Sequence, residues 1–135
     1  MPYNIHKKNS EIFIIEQIDF INKSIEYFLK KLEKPKFFLW SNEIDTIDVS
    51  KFIHKVIVVN NSHIFPDQKD RISFDLFLLT QISNHIVIPS SFNWWGAWLN
   101  NCPKKCILRP SKNFFSKFRI NNLDLWPSKW IEITK

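Results

Sequence analysis

The sequence predicts an α/β fold, a Rossmann-like three-layer lobe built around a mainly parallel sheet. Two observations predict it. Short, fully apolar segments, typical of strands buried on both faces, alternate at least three times with segments of helical periodicity. The chain has 135 residues, of which 44% are hydrophobic, and this is enough for one core. We therefore expect a single lobe over residues 1–135, of which the sequence defines residues 1–15 poorly.

The first half of the chain predicts a helix, a strand, a turn and a second strand. Glu16–Glu33 is the clearest helix, because hydrophobic residues recur at steps of three and four until Pro35 ends the pattern. Lys36–Ser41 is apolar and aromatic and predicts a buried strand. The polar stretch Ser41–His54 predicts a short helix or turn, and the β-branched Lys55–Val59 predicts a strand. The helical stripe consists of Ile18, Ile21, Ile25, Phe28, Leu29 and Leu32.

The second half continues the alternation after a polar loop over residues 60–70. Ser73 can cap a helix over Phe74–Ser83, which is apolar on nearly every side and is therefore predicted to be buried. The remaining elements are a strand over His85–Pro89, a helix over Ser90–Asn100, a strand over Lys105–Pro110, and a tail of loop plus a terminal strand or helix.

Composition excludes several kinds of site. A single glycine leaves no room for a Walker loop or a Gly-x-Gly-x-x-Gly nucleotide motif. The net charge of +6 favours an acidic partner, but the lysines are scattered, so we interpret them as a solvated surface and expect no nucleic acid partner. Cys102 and Cys106, with His85 as the nearest histidine, make a poor zinc site, so we expect free thiols and no metal.

No targeting or membrane signal is evident in the sequence. The first residues lack the continuous apolar region of a signal peptide. No apolar run approaches the ~20 residues that would span a bilayer. We expect a cytoplasmic chain, at most peripherally associated with a membrane.

Ser90 and Ser91 lie where a predicted strand ends and a helix begins. Either hydroxyl can cap the helix by accepting a bond from a free backbone N–H. The same free N–H groups, at the positive end of the helix dipole, can instead bind a phosphate. Capping is the commoner use of such a serine. The second interpretation is favoured by the doubling of the serine at the carboxyl end of a strand, where parallel sheets bind ligands.

The rest of that helix is interpreted mainly as packing. One predicted buried face carries Phe92, Trp95, Gly96 and Leu99, which fall at steps of three and four. Gly96 lets the helix approach the sheet closely, at a cost of ~1 kcal/mol relative to alanine. Trp94 and Trp98 flank this face.

Asp75, placed in the first turn of the preceding helix, has two interpretations. It can stabilise the helix dipole, which contributes a few tenths to ~1 kcal/mol. It can also accept the adjacent N–H donors of a guanine base. The isolated His85 is interpreted as structural, and the acidic group of Glu43, Asp45 and Asp48 as a solvated helix face.

The order of these motifs resembles a known family. Asp75–Asn100, with its SSFNWWGAWLN motif, resembles the C-terminal signature of the α-1,2-fucosyltransferases, glycosyltransferase family eleven. Upstream, Ile18–Ile44 is similar to the family's helix and "PKFF" strand, and downstream Trp126–Ile133 is similar to its closing "P-x-x-W-I-x-I". The resemblance covers Gln17–Ile133.

The resemblance implies a fold, a substrate and a set of residues. The family transfers fucose with inversion from GDP-fucose to the 2-hydroxyl of a galactoside, without a metal or other cofactor. Its fold is of the two-lobed GT-B type, with the donor bound by the C-terminal lobe. By position, Ser90, Ser91 and Phe92 would lie at the donor diphosphate and Asp75 at the guanine. Structural support would come from Trp94, Trp95, Gly96 and Trp98, and no catalytic residue can be assigned.

The chain also departs from the family pattern. The upstream HxRRxD motif, whose arginines bind the diphosphate bidentately, is absent, and lysine does not replace it. Asn42 and Glu43 stand where the family has two aspartates, and Pro89 stands where asparagine is usual. We also expect the family's N-terminal acceptor lobe to be absent. We therefore expect a truncated transferase that is inactive alone. The alternatives are a non-catalytic GDP-binding remnant and half of a split enzyme that needs a partner chain, and self-association is a further expectation.

Overall fold

A computed structural model describes residues 2–41, 48–111, 114 and 125–135. The helices are α1 (Pro2–Lys31), α2 (Gln68–Thr80) and α3 (Ser91–Trp98), and a short 3₁₀ helix covers Val49–Lys51. The strands are β1 (Phe37–Leu39), β2 (Val56–Val58), β3 (Asn84–Ile86), β4 (Cys106–Pro110) and β5 (Ile131–Ile133). The alternation predicted from the sequence is confirmed. Residues 42–47, which include Glu43 and Asp45, lie outside the described residues.

Helix α1 begins earlier than the hydrophobic pattern predicted, at Pro2 instead of Glu16. It ends at Lys31, after which Lys34 adopts a φ of 48° and Pro35 prevents continuation. The buried side includes Ile25 and Phe28 of the predicted stripe, together with Glu16, Phe20 and Ser24. Leu29 belongs to the predicted stripe but is 38% exposed, so the buried face is rotated toward Phe20 and Ser24.

The larger sheet has three parallel strands in the order β3–β4–β5. Helix α1 covers one face, where Phe28 packs with Cys106 and Leu108. On the other face, Val87 and Ile107 pack with Ala97 of α3, Trp126 and Trp130. This part of the chain is three-layered and compatible with a Rossmann-like lobe, as predicted.

Strands β1 and β2 form a separate two-stranded parallel sheet, so the expectation of one continuous sheet is not met. A cavity of about 300 Å³ is lined by residues of α1, β1 and β3. Residues of β1 and β3 lie on its walls, and these two strands are not hydrogen-bonded to each other.

Helix α2 also differs from its prediction. Asp67, not Ser73, is its N-cap, and its carboxylate accepts bonds from the N–H groups of Lys69 (2.8 Å) and Asp70 (3.4 Å). Ser73 lies inside the helix and donates to the Lys69 carbonyl. Of the whole helix only Leu79 is buried, whereas Phe77 is 56% exposed, so the prediction of a buried helix is wrong.

Helix α3 packs with a different face from the predicted one. Gly96 and Ala97 are buried, whereas Trp95 and Leu99 are 49% and 47% exposed. Gly96 permits close approach to α2 rather than to the sheet: a Cβ at this position would lie 2.7 Å from the Cβ of Leu79. The helix lacks a polar side, so the sequence alone could not orient it.

Candidate functional site

The candidate site lies at the carboxyl end of β3, where the chain turns into α3. Val87 continues the pairing beyond the strand by donating to the Leu108 carbonyl (2.9 Å). Ser90 is extended (φ −146°, ψ 130°) and its carbonyl accepts from the N–H of Trp94, which starts the helix. The Ser90 hydroxyl makes no capping bond. Of the two interpretations of this serine, capping by its side chain is therefore not realised.

The start of α3 presents N–H donors that the helix itself does not pair. By helix geometry, the N–H groups of Ser91, Phe92 and Asn93 have no partner within the helix. Ser91 is exposed and Phe92 is half-buried. Pro89 has no N–H of its own to add to this group. Free amides with two adjacent hydroxyls, at the positive end of a helix dipole, can hold an anion.

The support for α3 comes from its tryptophans. Trp94 donates from Nε1 to the Leu125 carbonyl (2.8 Å), and its ring stacks on Trp98 with centroids 5.3 Å apart. Trp95 meets Trp94 edge-on but remains half exposed. Trp94 and Gly96 therefore pack against neighbouring residues, whereas Trp95 and Trp98 are both 49% exposed.

Asp75 is fixed by a residue from the β2–α2 loop. Its Oδ1 accepts a bond of 2.6 Å from Nδ2 of Asn61. Because α2 begins at Gln68, Asp75 lies in the middle of the helix, and the dipole interpretation does not apply to it. Within the described residues Asp75 forms no hydrogen bond with Ser90 or Ser91, but its helix packs directly on α3 through Leu79 and Gly96.

The position of the site within the sheet fits a ligand-binding edge. The chain passes from β2 through α2 to β3, the first strand of the larger parallel sheet. In open α/β sheets ligands bind beyond the carboxyl ends of the strands. Ser90 and Ser91 follow β3 at its carboxyl end.

His85 is buried at the opposite, amino edge of the sheet and is structural there. Its Nε2 donates to the Ile82 carbonyl (2.7 Å), which also accepts from Nδ2 of the buried Asn100. Burial lowers the pKa of His85 because it disfavours the charged imidazolium. A neutral, hydrogen-bonded histidine of this kind links β3 to the end of α3.

Sequence reasoning missed three polar residues near the carboxyl edge. Asn61 holds Asp75, and the signal for it was its position just after a strand. Ser111 follows β4, is 7% exposed, and its hydroxyl has no partner within the described part of the chain. Arg109 pairs with Glu132 at 3.4 Å across β4 and β5. No sequence signal indicated this pair, because the register of β4 and β5 was unknown.

The described ranges contain no cluster of three or more His, Cys, Asp or Glu side chains suited to a metal ion. Both cysteines carry free thiols. None of the helices in these ranges is long and apolar enough to cross a membrane. Asp48, from the predicted acidic group, caps the 3₁₀ helix, and its hydrogen bonds from Ser50 lower the pKa of the carboxyl.

Known proteins resemble the chain along most of its length. The model of glycosyl transferase family 11 matches residues 3–134. An alpha-1,2-colitosyltransferase of Escherichia coli is 29% identical over 112 residues, which cover 83% of this chain and 37% of the relative. The O-antigen biosynthesis glycosyltransferase WbnK of Escherichia coli is 27% identical over 118 residues, or 86% and 36% of the two chains. This chain therefore spans little more than a third of the relatives' length. No solved structure matches it.

Proposed function

The chain belongs to glycosyl transferase family 11, and from that membership we propose that it forms the donor-nucleotide-binding lobe of a GT-B transferase. The proposed donor is GDP-fucose, and the proposed acceptor is the 2-hydroxyl of a galactoside. The proposal rests on the match of the family model to residues 3–134, a range that includes the serine pair at the start of α3.

The start of α3 is the proposed diphosphate site. The unpaired N–H groups of Ser91 and Phe92 and the uncommitted hydroxyl of Ser90 supply donors for the phosphate oxygens. Asp75, held through Oδ1 by Asn61, keeps a second carboxylate oxygen for the N–H donors of guanine. Trp94 and Trp98 support the helix from behind.

Donor binding and sugar transfer are separate parts of this proposal. The relatives are far longer than this chain, so the acceptor site and catalysis are proposed for the complete transferase, with the remaining parts on the same or another polypeptide. We expect these 135 residues alone to bind GDP without transferring fucose. Fucose transfer from GDP-fucose by this chain alone would contradict that expectation.

Titration calorimetry with GDP tests the diphosphate site. Replacing Ser90→Ala together with Ser91→Ala removes two hydroxyl donors, and we expect about tenfold weaker binding or more. The matched control is Ser128→Ala, an exposed serine in the turn before β5. Equal GDP affinity in the double variant and the native chain would refute the assignment.

The guanine site has its own test. Inosine diphosphate lacks the exocyclic amine of GDP, so the native chain should bind it more weakly if Asp75 accepts from both guanine donors. Asp75→Asn should weaken GDP binding and bring the two nucleotides to similar affinity. A preference for GDP that survives this substitution would exclude Asp75 as the guanine partner.

A further inference from the structure

An open cleft of about 940 Å³ lies at the amino edge of the larger sheet. Its walls are the end of α3, the loop that leads into β4, and residues 125–130, which lead into β5. The serine pair lies at the other end of α3, so the cleft is distinct from the proposed donor site. Its volume is within the roughly 300–1,000 Å³ typical of small-ligand sites.

The cleft has an exposed aromatic face on a rigid support. Trp98 is 49% exposed, and one side of its indole stacks on Trp94 at an interplanar angle of 15°. Trp94 is fixed by its bond to the Leu125 carbonyl and by ring contact with Trp130 at 5.6 Å. The face of an indole carries negative charge density and attracts the C–H groups of a pyranose ring. A sugar can therefore stack on Trp98 without reordering the site.

The polar groups of the cleft suit hydroxyls better than phosphate. The C-terminal end of α3 lies here, and its carbonyls carry a partial negative charge that opposes a phosphate. The Lys105 ammonium already donates to the carbonyls of Asn100 (2.8 Å) and Ala97 (3.4 Å). The described lining also includes Asn101, Ser128 and the exposed Lys129, and no carboxylate. Amide, hydroxyl and carbonyl groups can all bond to sugar hydroxyls.

We propose that this tryptophan-lined cleft binds an oligosaccharide, at a site separate from the donor nucleotide. The inference uses the family membership of the chain, because a glycosyltransferase handles glycans, but it does not depend on the donor site. Trp98 is the stacking residue, and the amides and ammonium groups of the rim bond to the sugar hydroxyls.

Cys102 provides a reporter at the rim. Its thiol lines the cleft 3.4 Å from the Ser83 hydroxyl, and the hydrogen bond that this hydroxyl can donate to the thiolate lowers the pKa of the thiol. The other cysteine, Cys106, is buried. Alkylation by iodoacetamide near neutral pH should therefore report on Cys102, and Cys102→Ser gives the background rate.

The experiment measures Cys102 alkylation in the presence of lacto-N-tetraose, maltotetraose or GDP, each up to millimolar concentration. We expect at least one tetrasaccharide to slow the reaction, and GDP not to. Trp98→Ala should weaken this protection about tenfold, as expected for the loss of one stacked aromatic contact. Trp98→Phe should retain part of it.

Trp95→Ala is the matched control, because Trp95 is equally exposed on the same helix but does not line the cleft. The proposal is wrong if neither tetrasaccharide protects the thiol, if GDP protects it equally, or if Trp95→Ala and Trp98→Ala behave alike. The Ser90→Ala, Ser91→Ala variant should keep full protection by the sugar. A failure of the proposed donor site would therefore leave this result unchanged.

Discussion

Single buried polar residues join the elements around the larger sheet. Asn100, 2% exposed, donates to the Ile82 carbonyl and accepts from the Cys102 N–H (2.8 Å), so it closes the turn between α3 and β4. His85 uses the same Ile82 carbonyl. Buried polar groups are costly unless they are bonded, and these bonds explain why a histidine is tolerated at the start of β3.

The buried His85 predicts a pH dependence of stability. Because burial disfavours the imidazolium, the pKa of His85 is lower in the folded chain than the ordinary histidine value of about 6.5, so the unfolded chain binds more protons below that value. The free energy of unfolding should be at its full value above about pH 6.5 and should decrease as the pH falls below it. Urea unfolding at about pH 7.5 and about pH 5.5 measures the difference.

Substituting His85 tests whether this residue causes the pH dependence of stability. His85→Leu should reduce the loss of stability between the two pH values, although it also removes one hydrogen bond. His63→Leu, at an exposed loop position, is the control and should leave the pH dependence as it is in the native chain. An unchanged pH dependence in His85→Leu would show that other groups cause it.

At the scale of elements, the sequence predicted correctly which segments are helices and which are strands. It predicted less well where the helices begin and which of their faces are buried. The strand segments were found because each is a short apolar run. The start of α2 was missed because its first turn, from Gln68, is polar and resembles the loop before it. Because of this error Asp75 was placed in the first turn of α2. That placement suggested a role in stabilising the helix dipole, which the structure does not support.

The packing of α3 on α2 explains the only glycine of the chain. A side chain at position 96 would place its Cβ 2.7 Å from the Leu79 Cβ and 3.0 Å from Cδ1. Gly96→Ala gains about 1 kcal/mol of helix propensity, but overpacking of this kind costs about 1–3 kcal/mol. We expect a net loss of up to about 2 kcal/mol, seen as a lower urea midpoint. A midpoint above that of the native chain would contradict the close approach of the two helices.

At the scale of the whole molecule, the sequence did not predict the division into two sheets. Apolar patterning identifies strands, but which strands pair with each other depends on tertiary packing, which local sequence does not encode. The donor-site residues, in contrast, were predicted from their positions in the sequence and from the family resemblance. The partner of Asp75, Asn61, became visible only when the loop after β2 was placed against α2.

The smaller sheet has an apolar face that the described residues do not cover. Phe38 and Ile57 are cross-strand partners, and they are 48% and 39% exposed. Parallel sheets are normally covered on both faces. Helix α2 adds Ile72 and Phe77, which are 43% and 56% exposed. Surfaces of this kind favour association.

We therefore expect this chain to self-associate when purified alone, in a manner that depends on its concentration. Phe38→Thr with Ile57→Thr keeps the strand propensity but removes the apolar surface, so it should shift the sedimentation coefficient toward that of a monomer. Lys36→Thr with Lys55→Thr, at exposed positions flanking the same strands, is the control and should leave association unchanged. A native chain that sediments as a monomer at every concentration would show that this face needs no cover.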